Sequence, residues 1–118
     1  MAYTYIIKCR DDTYYTGIAK DIYNRMEEHW TKSKKCAKYT RAKGIKSLEI
    51  LWESKSISDA AKLETQIKKL TRLKKIELIM NPDRFEKYFG QKLDCANYFN
   101  CPGITLEYCL QQCQNVQK

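Results

Sequence analysis

The chain predicts an α/β fold of the α+β kind, in which a small three-stranded, partly antiparallel sheet is flanked by helices in the order β-β-α-β-α-α, with a C-terminal extension. Three observations carry this expectation. Residues 3–18 are two runs rich in aromatic and β-branched groups around one polar turn. Residues 22–30 and 58–79 place apolar side chains at helical spacing. Between them, residues 47–53 return to the alternation of a strand.

Taken in order, Tyr3 to Cys9 reads as the first strand, Arg10-Asp11-Asp12-Thr13 as the turn, and Tyr14 to Ile18 as the second strand of a hairpin. Asp21 then caps a helix from Ile22 to about Trp30, whose apolar stripe is read as Ile22, Met26 and Trp30. Arg25 and His29, also four apart, share a neighbouring face. Thr31 to Lys46 has weak apolar periodicity and is punctuated by Gly44, so it reads mainly as a loop with room for a helical turn. Ser47 to Glu53 alternates Leu48, Ile50 and Trp52 against Glu49, Leu51 and Glu53. Ser58 and Asp59 open the next helix, with Leu63, Ile67 and Leu70 on its apolar face, and the pattern continues through Leu73, Ile76, Leu78 and Ile79 until Asn81-Pro82 ends it. The remainder is too rich in large apolar groups, among them Phe85, Phe89, Tyr98 and Leu106, to be a disordered linker. We therefore divide the chain into residues 1–80, the folded unit, and residues 81–118, a cysteine-containing extension packed on it.

A length of 118 residues with 43% apolar content suits one compact domain. The first ten residues hold a short apolar run broken by Lys8 and show no secretory signal, and no apolar run approaches the length of a membrane span. The expectation is a cytoplasmic protein without a membrane association. The six cysteines then read as reduced thiols, and the four late ones, Cys95, Cys101, Cys109 and Cys113, lack the C-x2-C knuckle of common zinc sites.

The net charge is +8, and all of the excess lies in residues 1–80, because acids and bases balance in 81–118. From Lys32 to Lys46 the basic residues run without one intervening acid, and Tyr39 lies among them. Such a segment suits a polyanion, since each cation that neutralises a phosphate releases a counterion. Lys34, Lys35, Lys38, Tyr39, Arg41 and Lys43 are thus the candidate nucleic-acid contacts. A solvated loop is the plainer reading of the same charges.

Hydrolysis of a phosphodiester needs a nucleophilic water, a group to take its proton, and positive charge on the phosphoryl oxygens. Tyr15-Thr16-Gly17, just ahead of the helix that carries Arg25 and His29, sets a phenol, a guanidinium and an imidazole at one strand-to-helix junction. A free phenol titrates near 10, so a Tyr base needs neighbouring positive charge. Tyr5 stands upstream and Glu64 downstream. A single carboxylate is a poor zinc site but an ordinary magnesium ligand when substrate phosphate completes the shell. Glu64 read alone is equally a surface acid paired with Lys68 at i,i+4.

In their order and spacing these residues resemble the GIY-YIG nuclease superfamily, and in particular its small stand-alone bacterial members. The likeness covers about residues 3–79. The GIY element reads Tyr3-Thr4-Tyr5 and keeps only its last residue, and the YIG element reads Tyr15-Thr16-Gly17, followed by Arg25 and His29 at the superfamily's intervals. Ile18 stands where some repair members carry Lys. The stretches Ala37-Lys38-Tyr39-Thr40-Arg41-Ala42 and Leu63-Glu64-Thr65-Gln66-Ile67-Lys68-Lys69-Leu70 are also similar to those small members. The resemblance implies a metal-dependent endonuclease acting on DNA in repair or recombination, RNA remaining open. In it Tyr15 helps activate water, Tyr5 and His29 support the proton network, Arg25 holds the scissile phosphate, and Glu64 binds Mg²⁺ or Mn²⁺. With no separate DNA-binding module in the chain, target choice is expected to follow substrate structure or to be of low specificity. The alternative is a catalytically weak nucleic-acid-binding module whose extension docks a protein partner or a second copy.

Overall fold

A computed structural model describes residues 1–117, with side chains through Cys113. Strand β1 (Ala2–Cys9) and strand β2 (Tyr14–Ala19) form the hairpin, followed by helix α1 (Ile22–Trp30), helix α2 (Lys38–Lys43) and strand β3 (Ile45–Ser54). Helices α3 (Ile57–Lys68), α4 (Arg72–Met80) and α5 (Phe85–Phe89), strand β4 (Tyr98–Asn100) and helix α6 (Leu106–Gln117) complete the chain. The sheet has the order β2-β1-β3-β4 and every pairing in it is antiparallel.

Two corrections to the expected fold follow. The sheet has four strands and is wholly antiparallel, not three and partly so, and the element order is β-β-α-α-β-α-α-α-β-α. The fourth strand is three residues long, too short to show a period of two, and it exists because the far edge of β3 offers Trp52, Glu53 and Ser54 as partners for Asn100, Phe99 and Tyr98. The basic segment, read mainly as a loop with room for a helical turn, contains the six-residue α2. That helix has no side-chain cap and almost no apolar face of its own, but Thr40 on it is fully buried.

The caps explain where α1 and α3 begin. The Asp21 side chain accepts from the backbone N–H of Asn24 and starts α1 where the sequence placed it. Helix α3 starts one step earlier than Ser58 and Asp59 indicated. Ser56 is its cap, accepting from Asp59 N–H while its own hydroxyl donates to the Asp59 carboxylate.

One face of the sheet packs on α1 and α6, the other on α3 and α4. On the first lie Tyr5, Ile7, Ile45, Leu48 and Leu51, against Ile22, Met26, Leu106 and Cys109. On the second lie Ile6, Ile50 and Trp52, against Leu63, Ile67, Leu78 and Phe89. Leu48 and Ile50 therefore point to opposite faces, contrary to the simple alternation. The register explains it: Ile6 faces Ile50 while Ile7 faces Leu48, so Glu49 is an extra residue, a bulge that reverses the parity of β3. A second shift between Lys8 and Cys9 brings Ile45 back to the same face.

The stripe of α1 also differs from its reading. Its buried residues are Ile22, Met26 and His29, and Trp30 is 47% exposed. At 3.6 residues per turn the position in line with 22 and 26 is 29, so the imidazole is turned inward and the indole outward.

Residues beyond Pro82 contribute to both sides of the sheet. Phe85 stands 5.8 Å from Trp52 and 5.5 Å from Tyr98, ring centre to ring centre, and the Tyr98 hydroxyl donates to the carbonyl of Asp59 at 2.7 Å. Helix α6 lies along α1. Leu106, 2% exposed, sits in the cluster with Tyr5 and Met26. Leu106→Ala is expected to cost about 2–5 kcal/mol of stability, the range for truncating a buried leucine. Urea denaturation measures it, and a loss below about 0.5 kcal/mol, the level of a surface substitution, would mean that α6 only rests on the surface.

Candidate functional site

Tyr5 is the centre of the site. Its residue is fully buried in β1, yet its hydroxyl is hydrogen bonded on two sides. The Oη atom lies 2.8 Å from Nε2 of His29 and 3.3 Å from Nε of Arg25. A guanidinium can only donate, so the phenol oxygen accepts from Arg25.

Helix α1 supplies both partners because Arg25 and His29 are one turn apart on the side that faces β1. The opposite residue on β2 is Gly17, directly across from Tyr5 in the register. A Cβ at Gly17 would lie 2.5 Å from Tyr5 Oη and 2.7 Å from Cζ. The glycine is thus needed for the room it leaves, since the phenol occupies the space over its backbone.

Burial and charge set the protonation of this cluster. Desolvation pushes the Tyr5 phenol far above the ordinary value, only partly offset by the hydrogen bond and charge of Arg25. Tyr5 therefore stays protonated, a donor and not a base. His29 is lowered to about 4, first by burial and then by the charge of Arg25. It is neutral at physiological pH.

Arg25 is fastened at three points. Beyond Tyr5, its Nη1 donates to Oε1 of Glu28 at 3.2 Å and to the backbone carbonyl of Lys35 at 2.7 Å. The second contact ties the basic segment to α1. His29 is fastened on its other side as well, with Nδ1 2.8 Å from Oγ1 of Thr40 in α2.

Tyr15 lies at the edge of the cluster and is half-buried. Its ring stands edge-on to His29 at 5.8 Å and is stacked on Tyr39 of α2 at 6.0 Å, with 23° between the planes. Glu64 comes from α3, which packs against β1 and β2. Its side chain is 23% exposed and forms an ion pair with Lys68 at 3.6 Å. The i,i+4 pair named as its plain reading is therefore formed.

The basic residues divide in two. Lys34, Lys35 and Lys38 are exposed, and Tyr39 and the half-buried Arg41 border them. Lys43 is occupied: its Nζ lies 2.6 Å from the Asp11 carboxylate, donates to the Tyr39 hydroxyl at 3.2 Å, and sits 4.5 Å over the Tyr39 ring centre. It straps α2 to the turn between β1 and β2. Sequence reasoning did not single out Thr40 or Glu28, and little in the sequence could have revealed them. Only once α2 is known to be a helix does Thr40 become the position turned away from water.

Among the described residues no group of three or more His, Cys, Asp or Glu side chains is placed to hold a metal ion, and all six cysteines are free thiols. What the site offers a cation is one partly exposed carboxylate. Among the described residues no helix is long and apolar enough to cross a membrane.

This small α+β domain gathers a guanidinium, two phenols and an imidazole beside an exposed basic segment. Residues 1–77 match the GIY-YIG catalytic domain, and the chain belongs to that family. The domain implies endonuclease activity on nucleic acid. Relatives carry the name UPF0213 protein. That of Fusobacterium nucleatum subsp. nucleatum is 42% identical over 85 residues, 72% of this chain and 83% of the relative. That of Syntrophus aciditrophicus is 42% identical over 83 residues, 70% of this chain and 94% of the relative. A solution NMR structure of the UPF0213 protein from Bacillus halodurans is 32% identical, covers 80% of this chain and all of its own, and superposes with a TM-score of 0.44.

Two predictions test this geometry. Gly17→Ala drives its methyl into a phenol that cannot retreat without losing its hydrogen bonds, and should destabilise the fold by roughly 1–3 kcal/mol. An unchanged urea midpoint would show that the phenol is free to move. His29 is the sole histidine, and its folded value near 4 lies below the ordinary 6.5. The unfolded chain thus binds the extra proton first. The contribution of neutral His29, on the order of a few kcal/mol, is complete above pH 6.5 and is lost as pH falls toward 4. An imidazole signal that titrated near 6.5 in the folded protein would contradict this.

Proposed function

We propose that the protein is a divalent-cation-dependent endonuclease that hydrolyses DNA phosphodiester bonds in repair or recombination, directed by substrate structure or with low sequence specificity. The observation that carries this reading is the buried hydrogen-bonded cluster of Arg25, Tyr5 and His29 beside the exposed basic segment.

In this reading Arg25 is held by Tyr5, Glu28 and the Lys35 carbonyl through Nε and Nη1, so that Nη2 faces the scissile phosphate and stabilises its growing negative charge. Tyr15, oriented by its stack on Tyr39, accepts a proton from the attacking water in its phenolate form, which the Arg25 charge favours, and becomes the neutral phenol. Tyr5 and His29, both protonated as neutral groups, hold the guanidinium in place and exclude water behind it. Glu64 fits the family's divalent cation as a single hard-oxygen ligand beside substrate phosphate, the arrangement suited to Mg²⁺ or Mn²⁺ and unsuited to Zn²⁺. When bound, that ion supplies positive charge to the phosphoryl oxygens and lowers the pKa of a bound water. Lys68 must release Glu64 for the carboxylate to serve.

Lys34, Lys35, Lys38 and Arg41, with Tyr39, form the proposed DNA-facing rim. Contacts of this kind go to the phosphate backbone and carry no sequence information by themselves. We read residues 1–80 as the catalytic unit and 81–118 as an extension packed on it. The end of the family match at residue 77 and the packing of α6 on α1 support that division.

The test is cleavage of branched, flapped and single-stranded DNA with Mg²⁺ or Mn²⁺, comparing the wild type with Glu64→Gln. Loss of on the order of 100-fold or more in rate is expected, the scale for removing a group that serves the transition state. Cleavage that survives Glu64→Gln undiminished would take Glu64 out of the chemistry. Binding of DNA with no cleavage of any substrate would leave the non-catalytic binding module.

A further inference from the structure

We propose that Thr40 is a positioning residue: it fixes His29 in the tautomer protonated on Nδ1 and, through Tyr5, aims Arg25. The argument is one of counting protons. The Thr40 hydroxyl lies 3.1 Å from the carbonyl oxygen of Ala37, which can only accept, so the single hydroxyl hydrogen is spent there. What Thr40 presents to His29, 2.8 Å from Nδ1, is an oxygen lone pair. Nδ1 therefore carries the proton. A neutral imidazole has one, so Nε2 is an acceptor, and its partner at 2.8 Å, the Tyr5 hydroxyl, must donate to it.

The consequence reaches the guanidinium. With its hydrogen committed to His29, Tyr5 offers only lone pairs toward Arg25, whose Nε–H donates to it at 3.3 Å. The direction runs unbroken from Arg25 through Tyr5, His29 and Thr40 to the carbonyl of Ala37. Tyr5, His29 and Thr40 are each fully buried, so no solvent can substitute for a missing partner. In the opposite tautomer Nε2 would donate to the Tyr5 oxygen. The Tyr5 hydrogen would then have to face Arg25, donor against donor, and Nδ1 would meet the Thr40 hydroxyl only if that hydroxyl left Ala37.

Thr40 lies on α2, between the proposed DNA-facing Tyr39 and Arg41. The device therefore couples seating of the basic segment to the direction in which Arg25 points. Thr40 touches neither substrate nor reacting atoms in this scheme. It acts through His29 and Tyr5 alone.

The experiment has two arms, and only the second rests on the nuclease reading. In the first, ¹⁵N-edited NMR of the full chain near pH 7 reads the tautomer of the one imidazole directly. The expected result is a protonated Nδ1 and an unprotonated Nε2, kept in Thr40→Ser and lost to a mixture or to the other tautomer in Thr40→Val. A wild-type imidazole protonated on Nε2 overturns the proposal, and so does a folded Thr40→Val protein whose tautomer is unchanged. The wild-type and Thr40→Ser spectra decide the matter even where Thr40→Val does not fold. In the second arm, Thr40→Val should lower kcat on the order of 100-fold, the scale of a misaimed catalytic group, with KM within about 2-fold and Thr40→Ser close to wild type. Equal kcat in folded Thr40→Val also overturns it. A wild type that cleaves no substrate sinks the endonuclease assignment and leaves the tautomer result standing.

Discussion

Burying a phenol in a sheet is costly unless its hydroxyl is satisfied, and the Tyr5 hydroxyl is satisfied by the two α1 groups that the proposed chemistry uses. Arg25 and His29 converge on it from one helix, and Gly17 clears the space that its ring requires. Several features follow from this one constraint. The third inward position of α1 is a histidine and not the neighbouring tryptophan, because an apolar group there would leave the phenol proton without an acceptor. The strand opposite must be a glycine at one position only. Arg25, held from below, is restrained before any ligand arrives, which reduces the entropy lost on gripping a phosphate.

The basic segment is likewise not a free arm. Lys43 bound to Asp11, the Lys35 carbonyl bound to Arg25, Tyr39 stacked on Tyr15 and Thr40 against His29 hold it to the hairpin and to α1. Each contact is modest, since Lys43 and Asp11 are both partly in water and such pairs contribute little alone. Together they place the exposed Lys34, Lys35 and Lys38 next to the phenol and guanidinium. Glu64 stands on the other helical layer, where its carboxylate is paired with Lys68.

Residues after Pro82 complete the fold on both sides of the sheet. Leu106 and Cys109 enlarge the cluster under α1, while Phe85, Phe89 and Tyr98 close over Trp52. The aromatic wealth of that stretch is consumed internally. Phe99 and Tyr108 are the larger groups there that remain exposed.

Local chemistry was enough to determine much of this protein. The hairpin about Arg10–Thr13, the Asp21 cap, the start of α1 and the stop at Asn81-Pro82 follow from turn and capping preferences of adjacent residues, whereas Tyr5, Tyr15, Arg25, His29 and Glu64 were singled out only by their joint resemblance to a family's spacing. What local chemistry could not supply was parity, partners and direction. The bulge at Glu49 reverses which face Leu48 sees, β4 exists only because β3 has an edge to fill, and α2 is held by contacts to distant residues more than by its own sequence. Thr40 gained its meaning in the same way, since a hydroxyl among lysines has no defined proton donor or acceptor role until a buried imidazole lies on one side and a carbonyl on the other. Those outcomes depend on which groups are excluded from water together, and only the folded chain decides that.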